Sequence, residues 1–314
     1  MRPLGAIVCL CLGCLVLSCS TAPPKQESIT ERKNKAAEYA GFGNDYFNQG
    51  AYGRAIEFFN LALAYSGSVD HQVGIARSYN SLGRVYLAQG LFETAEANFG
   101  KSYEIALILE DALLTAQSLN NKGEAYMIQR DFETALTLFK DGLSYAEKGI
   151  PDADMAIINH NIGSCYKRLG ESDSALEYFE KALELNLKEK ISEEIATNYY
   201  MIASLHSESG EYEKALEFAG LALEMDKKVE NSLGIAKDFF ALGKISKKAG
   251  NNEEAFGYFE RGLFVYRSMA ILFANLDIAA DVKSILEELI AIAGSLGRLE
   301  EAANYRGILE GKKE

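Results

Sequence analysis

Few residues in this chain could do covalent or metal chemistry. The three histidines, His71, His160 and His206, fall in separate stretches with no metal-ligand spacing. Four of the five cysteines, Cys9, Cys11, Cys14 and Cys19, crowd the N-terminus, and only Cys165 lies in the body. Cys165 follows Gly163 and Ser164 within a helical pattern and is expected to be a small buried hydrophobe. The body contains no G-x-S-x-G, no C-x-x-C and no phosphate-binding glycine loop. "GFGNDYF" from Gly41 looks like one, but no strand precedes it. Acid pairs such as Glu253–Glu254 and Glu287–Glu288 are expected on solvated helix faces. These residues point away from an enzyme, and no cofactor or metal is expected.

Composition narrows the partners. The chain has 314 residues, 48% of them hydrophobic, with four prolines and no tryptophan, enough apolar mass for a sizeable folded body. A formal net charge of -13 disfavours nucleic acid and anionic lipid surfaces. Residues 1–18 hold one early basic residue, Arg2, and a short apolar run suited to a secretory signal. Val16, Leu17, Ser18 and Cys19 resemble the bacterial lipoprotein cleavage box, which implies lipidation of Cys19. Leu17 is bulkier than the usual occupant. Ser20 follows the cysteine where aspartate would favour inner-membrane retention, so the periplasmic face of an outer membrane is the expected location. Residues 19–31 form a polar tether with a reach of at most roughly 40 Å.

The body is periodic. A turn signature, Gly90-x-Phe92-x-x-Ala95, recurs every forty residues as Gly50/Tyr52/Ala55, Arg130/Phe132/Ala135, Gly170/Ser172/Ala175, Gly210/Tyr212/Ala215 and Gly250/Asn252/Ala255. Seven residues earlier stand Gly43, Gly83, Gly123, Gly163, Ala203 and Gly243, and nine later than the turn Phe59, Phe99, Phe139, Phe179, Ala219 and Phe259. The small column lets a first helix approach its neighbour closely, and five mid-helix glycines, each costing about 1 kcal/mol, imply that packing repays them. The turn glycine suits a left-handed cap, which makes Arg130 the least ideal turn.

Tyr79, Leu82, Gly83, Tyr86, Gly90, Phe92, Ala95 and Phe99 together resemble the tetratricopeptide repeat, in a 40-residue variant with longer helices. The resemblance implies an all-α fold, a right-handed superhelical solenoid of helix hairpins. Residues 32–275 make six repeats and residues 276–314 a divergent capping pair. An alternative for the apolar run at Ile271, Leu272 and Phe273 is an oligomer contact, and the oligomeric state is left open.

In that family the first helix of each repeat lines a concave groove that takes peptides or partner helices. The groove positions here are Arg77, Asn80, Arg84, Asn120, Asn121, His160, Asn161, Lys167, Tyr200, Lys237, Phe240 and Lys244. The asparagines have two readings, polar surface or amides that pair with a passing peptide backbone. The basic residues, set in an acidic body, suggest an acidic peptide partner. The expected function is a non-enzymatic, membrane-anchored scaffold or adaptor. Alternatives are an accessory lipoprotein of a periplasmic solute-uptake transporter and a subunit of envelope or outer-membrane assembly machinery.

Overall fold

The computed structural model describes residues 27–145, 149–273 and 277–312, all helix and turn. The expected signal peptide, Cys19 and most of the tether lie outside the described residues. Six hairpins follow one another: α1 (Ile29–Asn48) with α2 (Tyr52–Gly67), α3 (Gln72–Ala88) with α4 (Phe92–Ile108), and α5 (Ala112–Ile128) with α6 (Phe132–Leu143). Then come α7 (Asp152–Leu169) with α8 (Ser172–Glu189), α9 (Ser192–Glu208) with α10 (Tyr212–Lys228), and α11 (Ser232–Lys248) with α12 (Asn252–Leu272). The last pair is α13 (Ala279–Ser295) and α14 (Leu299–Leu309). Each helix packs on the next, and α1, α3, α5 and α7 also touch in sequence along one face, as do α9 and α11. The result is an all-α solenoid whose first helices share one side. "GFGNDYF" lies inside α1, so its glycines belong to a helix and not to a phosphate loop.

The hairpins close on a ring-to-backbone contact. A Cβ placed on Gly83 would sit 2.5 Å from the Phe99 ring, and the same clash recurs between Gly43 and Phe59, Gly123 and Phe139, and Gly243 and Phe259. Gly163 is slightly looser against Phe179, at 2.9 Å. All five phenylalanines are fully buried. In the fifth hairpin both members change together, to Ala203 and Ala219, and both are buried. The methyl occupies space that the ring has vacated. His206, which replaces the column's tyrosine, stacks there on Phe218 with ring centroids 5.5 Å apart.

Two turn families alternate. After the first helices, Gly50, Gly90, Gly170, Gly210 and Gly250 take positive φ, with Arg130 at +66° in the same role. A backbone bond spans each turn, such as Leu91 N–H to Tyr86 O at 2.9 Å and Asp131 N–H to Tyr126 O at 2.9 Å. That six-residue closure is a Schellman arrangement. Four of the turns after the second helices use left-handed residues that carry side chains, Asp70, Glu110, Lys190 and Glu230, and only the one before α7 has a left-handed glycine, Gly149, among the described residues. The periodic glycine signal does not extend to those four, because their side chains project to solvent and the penalty of roughly 1 kcal/mol is tolerated.

The last pair covers the open end of the stack. Ile285, Leu286, Leu289, Ile292 and Ala293 of α13 are buried against Phe259, Leu263 and Tyr266 of α12. Ile271, Leu272 and Phe273 at the end of α12 remain exposed.

Gly123→Ala is expected to lower stability by up to about 2 kcal/mol, because overpacking of about 1–3 kcal/mol outweighs the helix-propensity gain of about 1 kcal/mol. Ala203→Gly, with no ring behind it, should cost only about 1 kcal/mol, the propensity difference. Thermal unfolding followed by circular dichroism separates the two. By the same measurement Arg130→Gly should stabilise by about 0.5–1 kcal/mol, the relief of left-handed strain outweighing the added freedom of the unfolded chain.

Candidate functional site

The first helices bring part of the expected groove set together. Arg77, Asn80 and Arg84 from α3 and Asn120 and Asn121 from α5 line one open cavity of about 490 Å³, with Gln117, Glu124 and Asp154. Lys167 and Tyr200 line a second, of about 860 Å³, with Met201, Arg168 and Glu208. Tyr200 and Lys244 share a smaller third, of about 170 Å³. His160, Asn161, Lys237 and Phe240 line none of these three.

The asparagines differ from both sequence readings. Asn80, Asn120 and Asn161 are only 7–8% exposed, and they bond across repeats. The Asn121 amide donates to Asn80 Oδ1 at 2.9 Å, and the Asn161 amide donates to Asn120 Oδ1 at 2.9 Å. Asn120 also donates to Glu124 Oε1 at 2.8 Å, and Asn161 reaches the same oxygen at 3.3 Å. The amides therefore form a ladder that ties α3, α5 and α7 together. The superhelical offset drives this, since it brings each residue opposite the one 41 positions on.

Several other candidates are engaged as well. His160 Nδ1 lies 2.9 Å from Asn198 Oδ1, and its ring packs on Phe179. Phe240 is half-buried against Phe259, with the Lys244 ammonium 5.4 Å above its ring. Lys167 is paired with Glu208 at 3.2 Å and bonded to Ser204. Lys247 is paired with Glu288 at 2.6 Å. The basic strip expected along the whole groove is thus interrupted by internal ion pairs. Arg77 and Arg84, like Lys237 and Lys244, take part in none of these pairs. Both arginines are exposed, and neither forms an ion pair or hydrogen bond among the described residues; Arg84 rests over the Phe47 ring at 5.1 Å.

Glu124 also belongs to this site. It sits half-buried among the amides, and burial raises its carboxyl above the ordinary range, opposed by bonds from Asn120 and Asn161 and by the Arg84 charge. A pattern did exist in the sequence, as Asn120 and Glu124 lie one helical turn apart on one face. Asp154, held by Gln117 at 2.8 Å, joins only through the tertiary offset between α5 and α7. The cavity therefore presents two unpaired guanidinium groups beside amides with spare capacity. Asn80 Nδ2 and Asn121 Oδ1 make no hydrogen bond among the described residues.

Elsewhere the chemistry-bearing residues are structural. Cys165 is fully buried, and burial pushes its thiol up to about 11, which leaves almost no thiolate at neutral pH. His206 is buried with Nδ1 2.7 Å from Glu211 Oε2. Glu253 pairs with Arg298 at 2.5 Å on the surface. No group of three or more metal-ligating side chains is present among the described residues.

Comparison with known proteins follows the same lines. A tetratricopeptide repeat family model matches residues 35–108, 74–148, 114–188 and 154–228. No curated protein matches the sequence. Among solved structures, a signal-transduction ATPase with a tetratricopeptide repeat sensor from Pyrococcus horikoshii superposes with a TM-score of 0.71 at 17% identity, over 90% of this chain and 43% of that one. A Rap protein complexed with Competence and Sporulation Factor gives 0.62 at 17% identity, over 88% and 74%. BtubC from P. vanneervenii gives 0.62 at 20% identity, over 70% and 90%. At those identities the likeness speaks for the fold. With overlapping family matches across most of the solenoid, and the helix hairpins and their glycine–aromatic contacts in place, the chain belongs to the tetratricopeptide repeat family, a helical scaffold for protein–protein interaction.

Proposed function

We propose that this scaffold takes an extended, acidic peptide segment of a protein partner along α3, α5 and α7. The observation that carries the reading is the pair Arg77 and Arg84, exposed and without ion-pair partners among the described residues, on the wall of the amide-lined cavity. A guanidinium group without an internal partner keeps its fork of donors for a carboxylate. The spare donors and acceptors of the amide ladder suit a peptide backbone, which offers one N–H and one C=O per residue. The acidic remainder of the surface repels acidic segments, so attraction concentrates at this groove. A Rap protein with the same fold is known in complex with a partner, the Competence and Sporulation Factor.

The setting belongs to the same proposal. The Val16–Cys19 box supports a lipid on Cys19 and attachment to the periplasmic face of an outer membrane. No helix among the described residues is long and apolar enough to cross a membrane. A solute-uptake accessory and an envelope-assembly subunit differ in their partners. Crosslinking in the native envelope followed by mass spectrometry would recover an integral-membrane transporter for the first and assembly proteins for the second.

Two measurements check the reading. The Arg77→Glu/Arg84→Glu double variant should bind an acidic peptide at least about tenfold more weakly, with unchanged helicity. Equal affinity in fluorescence anisotropy titrations would remove the groove assignment. Cys19→Ser should shift the protein from the membrane to the soluble fraction and abolish incorporation of radiolabelled palmitate; persistent labelling would rule out that residue as the lipid site.

A further inference from the structure

Between α10 and α11 two aspartates are buried side by side. Asp226 is 6% exposed and Asp238 is 2% exposed, and their carboxyl groups lie within hydrogen-bonding reach of each other. The Asn231 amide donates to Asp226 Oδ1 at 3.0 Å, whereas Asp238 Oδ2 is buried and no N–H or O–H among the described residues donates to it. No lysine or arginine forms an ion pair with either acid among the described residues. Nor is there slack around them, because a Cβ on Gly234 would stand 1.9 Å from Asp226 Oδ2.

The other junctions hold no acid at the equivalent positions. The positions equivalent to Asp226 and Asp238 hold Asn186 and Asn198 one repeat earlier, and Ser66 and Ser78 at the N-terminal end. All four are buried polar groups that carry no charge. Only the junction between the fifth and sixth hairpins places two acids there. Two carboxylates cannot both remain ionised in contact at such a site, since each charge loses its hydration and repels the other. One shared proton resolves both problems, turning one carboxyl into a donor to its partner.

We propose that Asp226 and Asp238 form a proton-sharing pair that locks α10 onto α11 when protonated and loosens the junction when the proton is lost. Burial first, then the Asp226 charge and the hydrogen bond to it, push Asp238 up to about 8. Asp226 is raised too, chiefly by burial, against the hydrogen bonds from Asn231 and Asp238; Glu193 of α9 adds to the shift and Lys237 of α11 opposes it. Tyr200 of α9 faces Asp238, and Tyr266 of α12 in turn feels Tyr200. Because the folded-state value lies above the unfolded one, the stability from this pair is complete below the unfolded value of 3.8 and drains away as pH rises towards about 8. Tyr200 lines two of the concave cavities, so the state of the pair reaches the groove surface.

Hydrogen exchange on the full-length protein tests this. Protection factors of α10 and α11 amides, corrected for intrinsic exchange, should fall by about tenfold per pH unit between about pH 5 and about pH 8. Protection in α3 and α4 should not follow that slope. Asp238→Asn, which copies the Asn198 position of the preceding repeat, should flatten the slope and raise protection at pH 8; Asp226→Asn should flatten it too and serves if the first variant folds poorly. A flat profile in the unsubstituted protein, or a slope retained in both variants, overturns the proposal. So does protection at pH 8 restored by millimolar Ca2+ or Mg2+, which would mean that a cation and not a proton neutralises the pair.

Discussion

The solenoid depends on an aromatic ring pressed against a helix backbone at a residue that has no side chain. In five hairpins a phenylalanine from the second helix occupies the space where a Cβ of the first helix would stand. The contact sets how closely the two helices approach, and that spacing determines how the next hairpin can stack. A buried phenylalanine is worth about 3–5 kcal/mol against alanine, more than the roughly 1 kcal/mol a mid-helix glycine costs, so the exchange favours folding. The fifth hairpin replaces both members with alanine, which shows that the contact behaves as one unit.

With the second-helix side occupied by packing, the opposite face of each first helix is left to meet its neighbours. It does so through polar groups. Amides link α3, α5 and α7, and the same offset of 41 residues joins Lys247 to Glu288 and Lys248 to Ser207. Such a face is rigid where its groups are mutually satisfied and receptive where they are not. Arg77 and Arg84 are of the second kind, and the cavity beside them combines fixed geometry with uncommitted charge.

Polar groups also line the joints deeper in the stack. Ser102 and Ser118 lie 2.8 Å apart, fully buried, between α4 and α5. The equivalent region between α10 and α11 holds the two aspartates. A repeat protein's stability is close to a sum over units and their interfaces, so one titratable joint can change locally without melting the whole. Proton dependence confined to one end of the groove is a natural outcome of that architecture.

Much of the fold was legible because the packing columns repeat every forty residues and each demands a particular size: glycine under a ring, glycine in a left-handed turn, alanine where helices cross. Those requirements are local, spanning one hairpin, and a linear pattern records them. The hairpin fold, the strain at Arg130 and the burial of Cys165 and His206 all follow from residue type and phase. The commitments of the groove residues do not. Asn80 faces the groove in the sequence pattern, yet the superhelical offset brings it against Asn121 and turns an apparent ligand contact into a structural bond. Lys167 looks free until Glu208 arrives from the next repeat, and Asp238 meets Asp226 only once α11 packs on α10. Sequence determined which faces exist; only the stacking of one repeat on the next decided which polar groups those faces still have to offer, because hydrogen bonds and ion pairs depend on distances across repeats that no single repeat encodes.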